Sequence, residues 1–176
     1  PFGTEGFALY HQRVENIVDM LLNIELPQLR SVDIGNIRKI KALLAIISTE
    51  VPMLVDITKL ATLTGIARTT ILAYLQYLHE AKLIRLLYSD DLSVKKMQKP
   101  DKILMENTNL LQALSLQVSN IGTMRETFFC NQLGYTHQVE YNKRGDYLID
   151  HKYVFEIGGK AKDGKQVANM ENAYIA

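Results

Sequence analysis

Gly145-Asp146-Tyr147-Leu148-Ile149-Asp150-His151-Lys152-Tyr153-Val154-Phe155-Glu156-Ile157-Gly158-Gly159-Lys160 contains two strand-like runs, each carrying an acidic residue. Asp146 opens the first run, and Glu156 closes the second just ahead of a Gly-Gly-Lys turn. Hard divalent cations prefer oxygen ligands, so two carboxylates on neighbouring strands are candidate Mg2+ ligands. A metal held there polarises a phosphate and lowers the pKa of an attacking water, and a nearby lysine stabilises the developing charge. Asp146 and Glu156 are therefore the candidate metal ligands. Glu126, Asp146, Glu156 and Lys160 together form the candidate catalytic set of a nuclease-like site.

Each of these residues also has a plainer reading. Asp146 follows Gly145 and serves equally well as a turn residue. Glu126 stands beside Arg125 as an ordinary helix-surface charge. Glu156 follows Tyr153, Val154 and Phe155 in a run expected to be buried, where a carboxylate needs a partner. Alternate residues of a strand share a face, so a lysine two positions after Glu156 would reach the same phosphate. That position is Gly158. Lys160 joins the face only if the strand continues through Gly158-Gly159, and glycine pairs favour turns or bulges. Lys160, Lys162 and Lys165 also fit a solvated basic loop that attracts a phosphate backbone.

Working outward, residues 8–26 carry Leu9, Val14, Ile17, Val18, Leu21 and Leu22 at helical spacing. Pro27 marks a break or a new start. Ile37 to Thr49 repeats the helical pattern, with Ile40, Leu43, Leu44 and Ile47 on one face and Pro52 beyond the end. Asp56 is placed to cap a short helix from Ile57 to Leu63, and Thr64-Gly65 makes a turn. Thr69 to Ala81 is a second helix. Leu83–Tyr88 and Lys102–Glu106 are strand-like and can pair as a hairpin. This order predicts a helix-turn-helix with a wing. Arg68, Thr69 and Thr70 at the start of the second helix, with Lys95 and Lys96 in the wing tip, are the candidate nucleic-acid contacts. Tyr74, Gln76, Lys82 and Arg85 extend that outer surface. The competing reading is a packing module inside a larger protein.

Asn109 to Gln117 is a further short helix. From Thr123 the expected order is helix, three strands (His137–Tyr141, Tyr147–Asp150, Tyr153–Ile157) and a last helix from Gln166 to Ala176. Met124, Thr127, Phe128 and Leu133 are expected to face the core. The expected domains are 1–119, helical with the winged helix, and 120–176, a small α/β unit. The fold class is thus mixed α/β (α+β).

Composition narrows the function classes. An apolar fraction of 47% supports a packed core rather than global disorder. A formal net charge of +1 excludes a strongly basic DNA-coating protein, though not a local basic face. The single cysteine, Cys130, cannot form an internal disulfide, which suits a cytoplasmic protein. No long apolar run predicts a membrane span. Cys130 and His137 could pair as nucleophile and base, but Cys130 lies beside Phe128 and Phe129 in an apolar run that suits a buried thiol. His11, His79, His137 and His151 show no metal-ligand spacing. The start at Pro1 without methionine suggests a piece of a longer protein.

The helix-turn-helix from Asp56 through Ile84, then Asn120–Phe129, Gly145–Asp150 and Phe155–Lys160, in this order, resemble the C-terminal half of a bacterial and archaeal family of AAA-type ATPases. In that family a P-loop ATPase domain precedes a winged helix and a restriction-endonuclease-like domain called DUF4143. The resemblance spans Asp56 to the end. It implies that Glu126, Asp146 and Glu156 occupy the acidic positions of the nuclease-like fold. It also implies partners: the separate ATPase domain, DNA or another protein. The chain carries no Gly-Lys-Ser/Thr phosphate loop, so ATP is expected only on that separate domain. The missing lysine after Glu156 points to a non-catalytic contact region. An active Mg2+-dependent nuclease using Asp146, Glu156 and Lys160, and a winged-helix transcription regulator, are the alternatives. A final strand is expected beyond the last helix.

Overall fold

The computed structural model describes residues 4–30, 32–90, 99–115, 120–158 and 170–176. Lys95, Lys96 and Lys160 lie outside them, as do Lys162 and Lys165. The fold is mixed α/β, with helices leading into two sheets. Helix α1 (Thr4–Met20) continues through a π-helical turn (Leu21–Glu25) into α2 (Leu26–Arg30). Pro27 has no N–H and cannot join a regular α-helical ladder. The wider turn before it, in which Leu26 N–H donates to Leu21 O, passes the chain into the proline without a break. The expected apolar stripe is only partly buried. Val18 and Leu22 are in the core, whereas Leu9 and Ile17 are exposed.

Helix α3 (Ile34–Glu50) buries Ile40, Leu43, Leu44 and Ile47, the face expected from their spacing. Each such side chain contributes about 1.5–3 kcal/mol by leaving water. Asp56 caps α4 (Ile57–Thr64) by accepting from the N–H groups of Thr58 and Lys59. Gly65, at φ 66°, ends it in the left-handed conformation that glycine adopts without a Cβ clash. Helix α5 (Arg68–Glu80) follows, with Ile71, Leu75 and Leu78 buried. Tyr74, expected on the outer face, is buried as well, because it shares the inner face with Ile71 and Leu78.

Strands β1 (Met53–Leu54), β2 (Ile84–Leu87) and β3 (Lys102–Met105) form an antiparallel sheet in the order β1-β3-β2. The β2–β3 hairpin is in the register Arg85↔Leu104 and Leu87↔Lys102. Alternation along these strands divides the sheet into two faces. Ile84, Leu86, Ile103 and Met105 join the main helical core. Leu87 and Leu104 join a second core with Cys130, Tyr147, Ile149 and Ile157. The hairpin is therefore covered on both faces.

Helix α6 (Thr108–Leu114), capped by the Asn107 side chain, leads to α7 (Ile121–Leu133), capped by Asn120. The second sheet has the order β4-β5-β6-β7. Its strands are β4 (Val139–Tyr141), β5 (Tyr147–Ile149), β6 (Tyr153–Glu156) and β7 (Ala173–Ile175). The first three run antiparallel, and β7 lies parallel to β6. The expectation of helix through to Ala176 is corrected at this point. Residues 173–175 are a strand, held by backbone hydrogen bonds to β6, and β7 takes the place of the strand expected further on. Phe128 is a second correction. It is exposed, while Thr123, Thr127 and Cys130 form the buried face of α7.

One contact links the end of β2 to β4, and another links β2 to α7. Tyr141 N–H donates to Tyr88 O at 2.9 Å, and Arg85 Nη1 donates to the carbonyl of Cys130 at 3.2 Å.

Candidate functional site

Asp146 sits at the mouth of the β5–β6 hairpin. Its N–H donates to Phe155 O at 2.8 Å, and its Oδ2 accepts from the N–H of Ile157 at 2.7 Å. The turn before it is closed by Asn142, whose side-chain oxygen accepts from the N–H groups of Arg144 and Gly145. Gly145 is required there, because an added Cβ would stand 2.7 Å from Val154 and 2.9 Å from the Phe155 carbonyl oxygen. The register Tyr147↔Phe155 places Asp146 across from Glu156, one step beyond the last strand pair.

Glu126 approaches from α7. Tyr147 donates its hydroxyl to Glu126 Oε2 at 3.3 Å. Burial raises the Tyr147 pKa strongly, so this phenol stays a donor. The group joining the carboxylates is one that the sequence reading placed only in a strand. Lys102 Nζ lies 2.7 Å from Glu126 Oε2 and 3.7 Å from Asp146 Oδ1. It also stands 4.7 Å above the centre of the Tyr147 ring. Its side chain is only 8% exposed, against 20% for Glu126 and 23% for Asp146. The lysine comes from β3 of the first sheet, on the face that carries Leu104.

Glu156 is 2% exposed. Val154 is the neighbour on its face of β6, and Val154 packs with Leu148, Met170 and Ala173. The structure thus gathers Glu126 and Asp146 around Lys102. Glu126, Asp146 and Glu156 do not form a group with all their ligand atoms within 4.8 Å of one another; among the described residues only Asp90, Glu140 and His151 do. No local spacing in the sequence marks His151, because its partners lie at positions 90 and 140, on other elements.

At the start of α5, Arg68 and Thr69 are exposed and Thr70 is half-buried. Lys82 is exposed, but Arg85 does not belong to that outer surface. Its Nη2 is 2.5 Å from Glu106 Oε1, with side-chain exposures of 13% and 9%. Burial is the largest single influence and opposes the Arg85 charge, but the hydrogen bond to Glu106 and the surrounding charge interactions together outweigh it, so the pKa is raised. Cys130 is buried, and loss of solvation pushes its thiol up to about 12. His137 instead pairs with Asp150 at 2.7 Å in an exposed position, so it is not the base of a Cys130 nucleophile.

The chain belongs to the family described as a domain of unknown function (DUF8612), which matches residues 7–122. That match covers α1 through the first residues of α7, and it differs from the DUF4143 expected. No curated protein and no solved structure matches the chain. Among the described residues no helix is long and apolar enough to cross a membrane.

Proposed function

We propose that this chain is a non-catalytic contact region of a larger AAA-type ATP-binding protein. In this reading α4, α5 and the β2–β3 hairpin are a winged helix, and α7 with the second sheet is a degenerate restriction-endonuclease-like unit. The unit contacts nucleic acid or a partner protein and does not cleave. Its element order, a helix and three antiparallel strands followed by a strand parallel to the third, supports the nuclease-like assignment.

The observation that carries the reading is Lys102. A buried ammonium from the neighbouring sheet lies against two of the three acidic positions. An ammonium 2.7 Å from Glu126 competes directly with any cation for that oxygen. The carboxylates thereby anchor the two sheets to each other. The exposed Arg68 and Thr69 at the start of α5 remain for an outside partner. A helix N-terminus with polar side chains suits a phosphate backbone.

The test is calorimetric titration with Mg2+ and Mn2+ beside incubation with supercoiled plasmid. The expected result is no saturable binding at millimolar metal and no nicking. Saturable binding that Asp146→Asn abolishes, or metal-dependent nicking, would establish the nuclease instead. Anisotropy of a labelled duplex, with Arg68→Ala as the variant, then assigns the contact to DNA or to protein.

A further inference from the structure

On the far side of the second sheet, Asp90 follows β2, Glu140 lies on β4, and His151 lies in the β5–β6 turn. His151 Nδ1 is 2.9 Å from Glu140 Oε2 and 3.4 Å from Asp90 Oδ1. All three ligand atoms lie within 4.8 Å of one another. Tetrahedral zinc bonds of about 2.0–2.1 Å set neighbouring ligand atoms roughly 3.4 Å apart, which is the scale found here. We propose that Asp90, Glu140 and His151 form a binding site for a zinc-class divalent transition metal, with one position left open to water.

The donor set selects the metal class. One imidazole with two carboxylates suits zinc and its neighbours better than Mg2+ or Ca2+, which prefer all-oxygen shells. The charge balance calls for a cation. Glu140 Oε2 has essentially no solvent exposure and faces a second carboxylate. Among the described residues neither Asp90 nor Glu140 is paired with a lysine or an arginine; His151 is the only basic side chain on either. This contrasts with Glu126 and Asp146, which carry their own ammonium. The Glu140 side chain, 13% exposed, is thus withdrawn from water beside the Asp90 carboxylate. A divalent cation relieves both costs.

The backbone presents the ligands from three separate elements. Asp90 is brought to the second sheet by the Ser89↔Tyr141 bridge. Glu140 is held by β4 pairing, Glu140↔Leu148, and its Oε1 accepts from Gln138 at 3.2 Å. A bound metal would clasp the end of β2 to the second sheet. The site shares no residue with the Lys102 cluster, so its fate is independent of the contact-region reading.

The experiment is titration of the untagged, metal-free 176-residue chain with Zn2+, competed against a chromophoric chelator. A parallel sample with Co2+ reports geometry through its visible absorption. The expected result is one equivalent bound at micromolar affinity or better, with Co2+ bands of low-coordinate N/O ligation. His151→Gln and Glu140→Gln should each weaken binding by more than about 100-fold, while His137→Gln leaves it unchanged. Circular dichroism establishes that the variants fold. Failure to bind Zn2+ below millimolar concentration, or binding that survives in folded His151→Gln, would overturn the assignment.

Discussion

Replacing Lys102 by methionine keeps the length of the side chain and removes its charge. The native ammonium touches Glu126 and Asp146 and covers Tyr147. Removing one member of a buried pair costs about 3–5 kcal/mol when the remaining charge has no access to water. Glu126 and Asp146 keep 20% and 23% of their side-chain exposure, so water screens part of that loss. Loss of the cation over the Tyr147 ring adds about 0.5–1 kcal/mol. The expected destabilisation is about 2–4 kcal/mol, a fall in Tm of roughly 5–15 °C for a chain of this size. The chain has no tryptophan, so urea and thermal unfolding are best followed by far-ultraviolet circular dichroism. The double variant Lys102→Met with Glu126→Gln removes a stranded carboxylate. It should be less destabilised than the sum of the two single variants by about 1 kcal/mol or more. A single-variant cost under about 1 kcal/mol, or strict additivity, would refute the view that this cluster ties the sheets together.

Other outcomes follow from the same structure. Gly134→Ala places a methyl on the Arg85 guanidinium and near the Cys130 carbonyl, so it should disturb the Arg85–Glu106 pair. A loss of about 1–3 kcal/mol in urea unfolding is expected. Asp56→Ala should lower Tm at neutral pH by removing the α4 cap. The Asp56 pKa is lowered, chiefly by the Lys59 N–H, so its contribution is present above the ordinary value of 3.8 and is lost as pH falls through the folded value. The difference between the Tm of the two proteins should therefore shrink in acid. Cys130, with its thiol raised to about 12 by burial, should react with a disulfide reagent at pH 8 only as fast as the protein opens. Immediate reaction in the native protein would contradict its placement.

Local patterns made most of the elements legible. The apolar period of α3 and α5, the Asp56 cap and the Gly65 turn act within a few residues, and such signals survive in a linear text. The pairing of Ile84–Leu87 with Lys102–Met105, and the run of β4, β5 and β6, were readable for the same reason. The C-terminal residues were not. Whether Ala173–Ile175 becomes helix or strand depends on the open edge of β6 that it meets, not on its own propensity.

The chemistry divides along the same line. Asp146 and Glu156 lie in one hairpin, and their opposition follows from the turn between them. What they face depends on the far side of another sheet. Lys102 reads in sequence only as the first residue of a strand of the wing hairpin. It becomes a buried counter-ion only because Leu87 and Leu104 turn its face of the hairpin onto Tyr147 and Cys130. Arg85 moves from presumed outer surface to internal ion pair by the same packing. Asp90, Glu140 and His151 meet only where the end of β2 is stitched to β4. Hydrophobic periodicity tells which side of a strand is apolar. It does not tell which charged neighbour a second layer of structure will press against the other side.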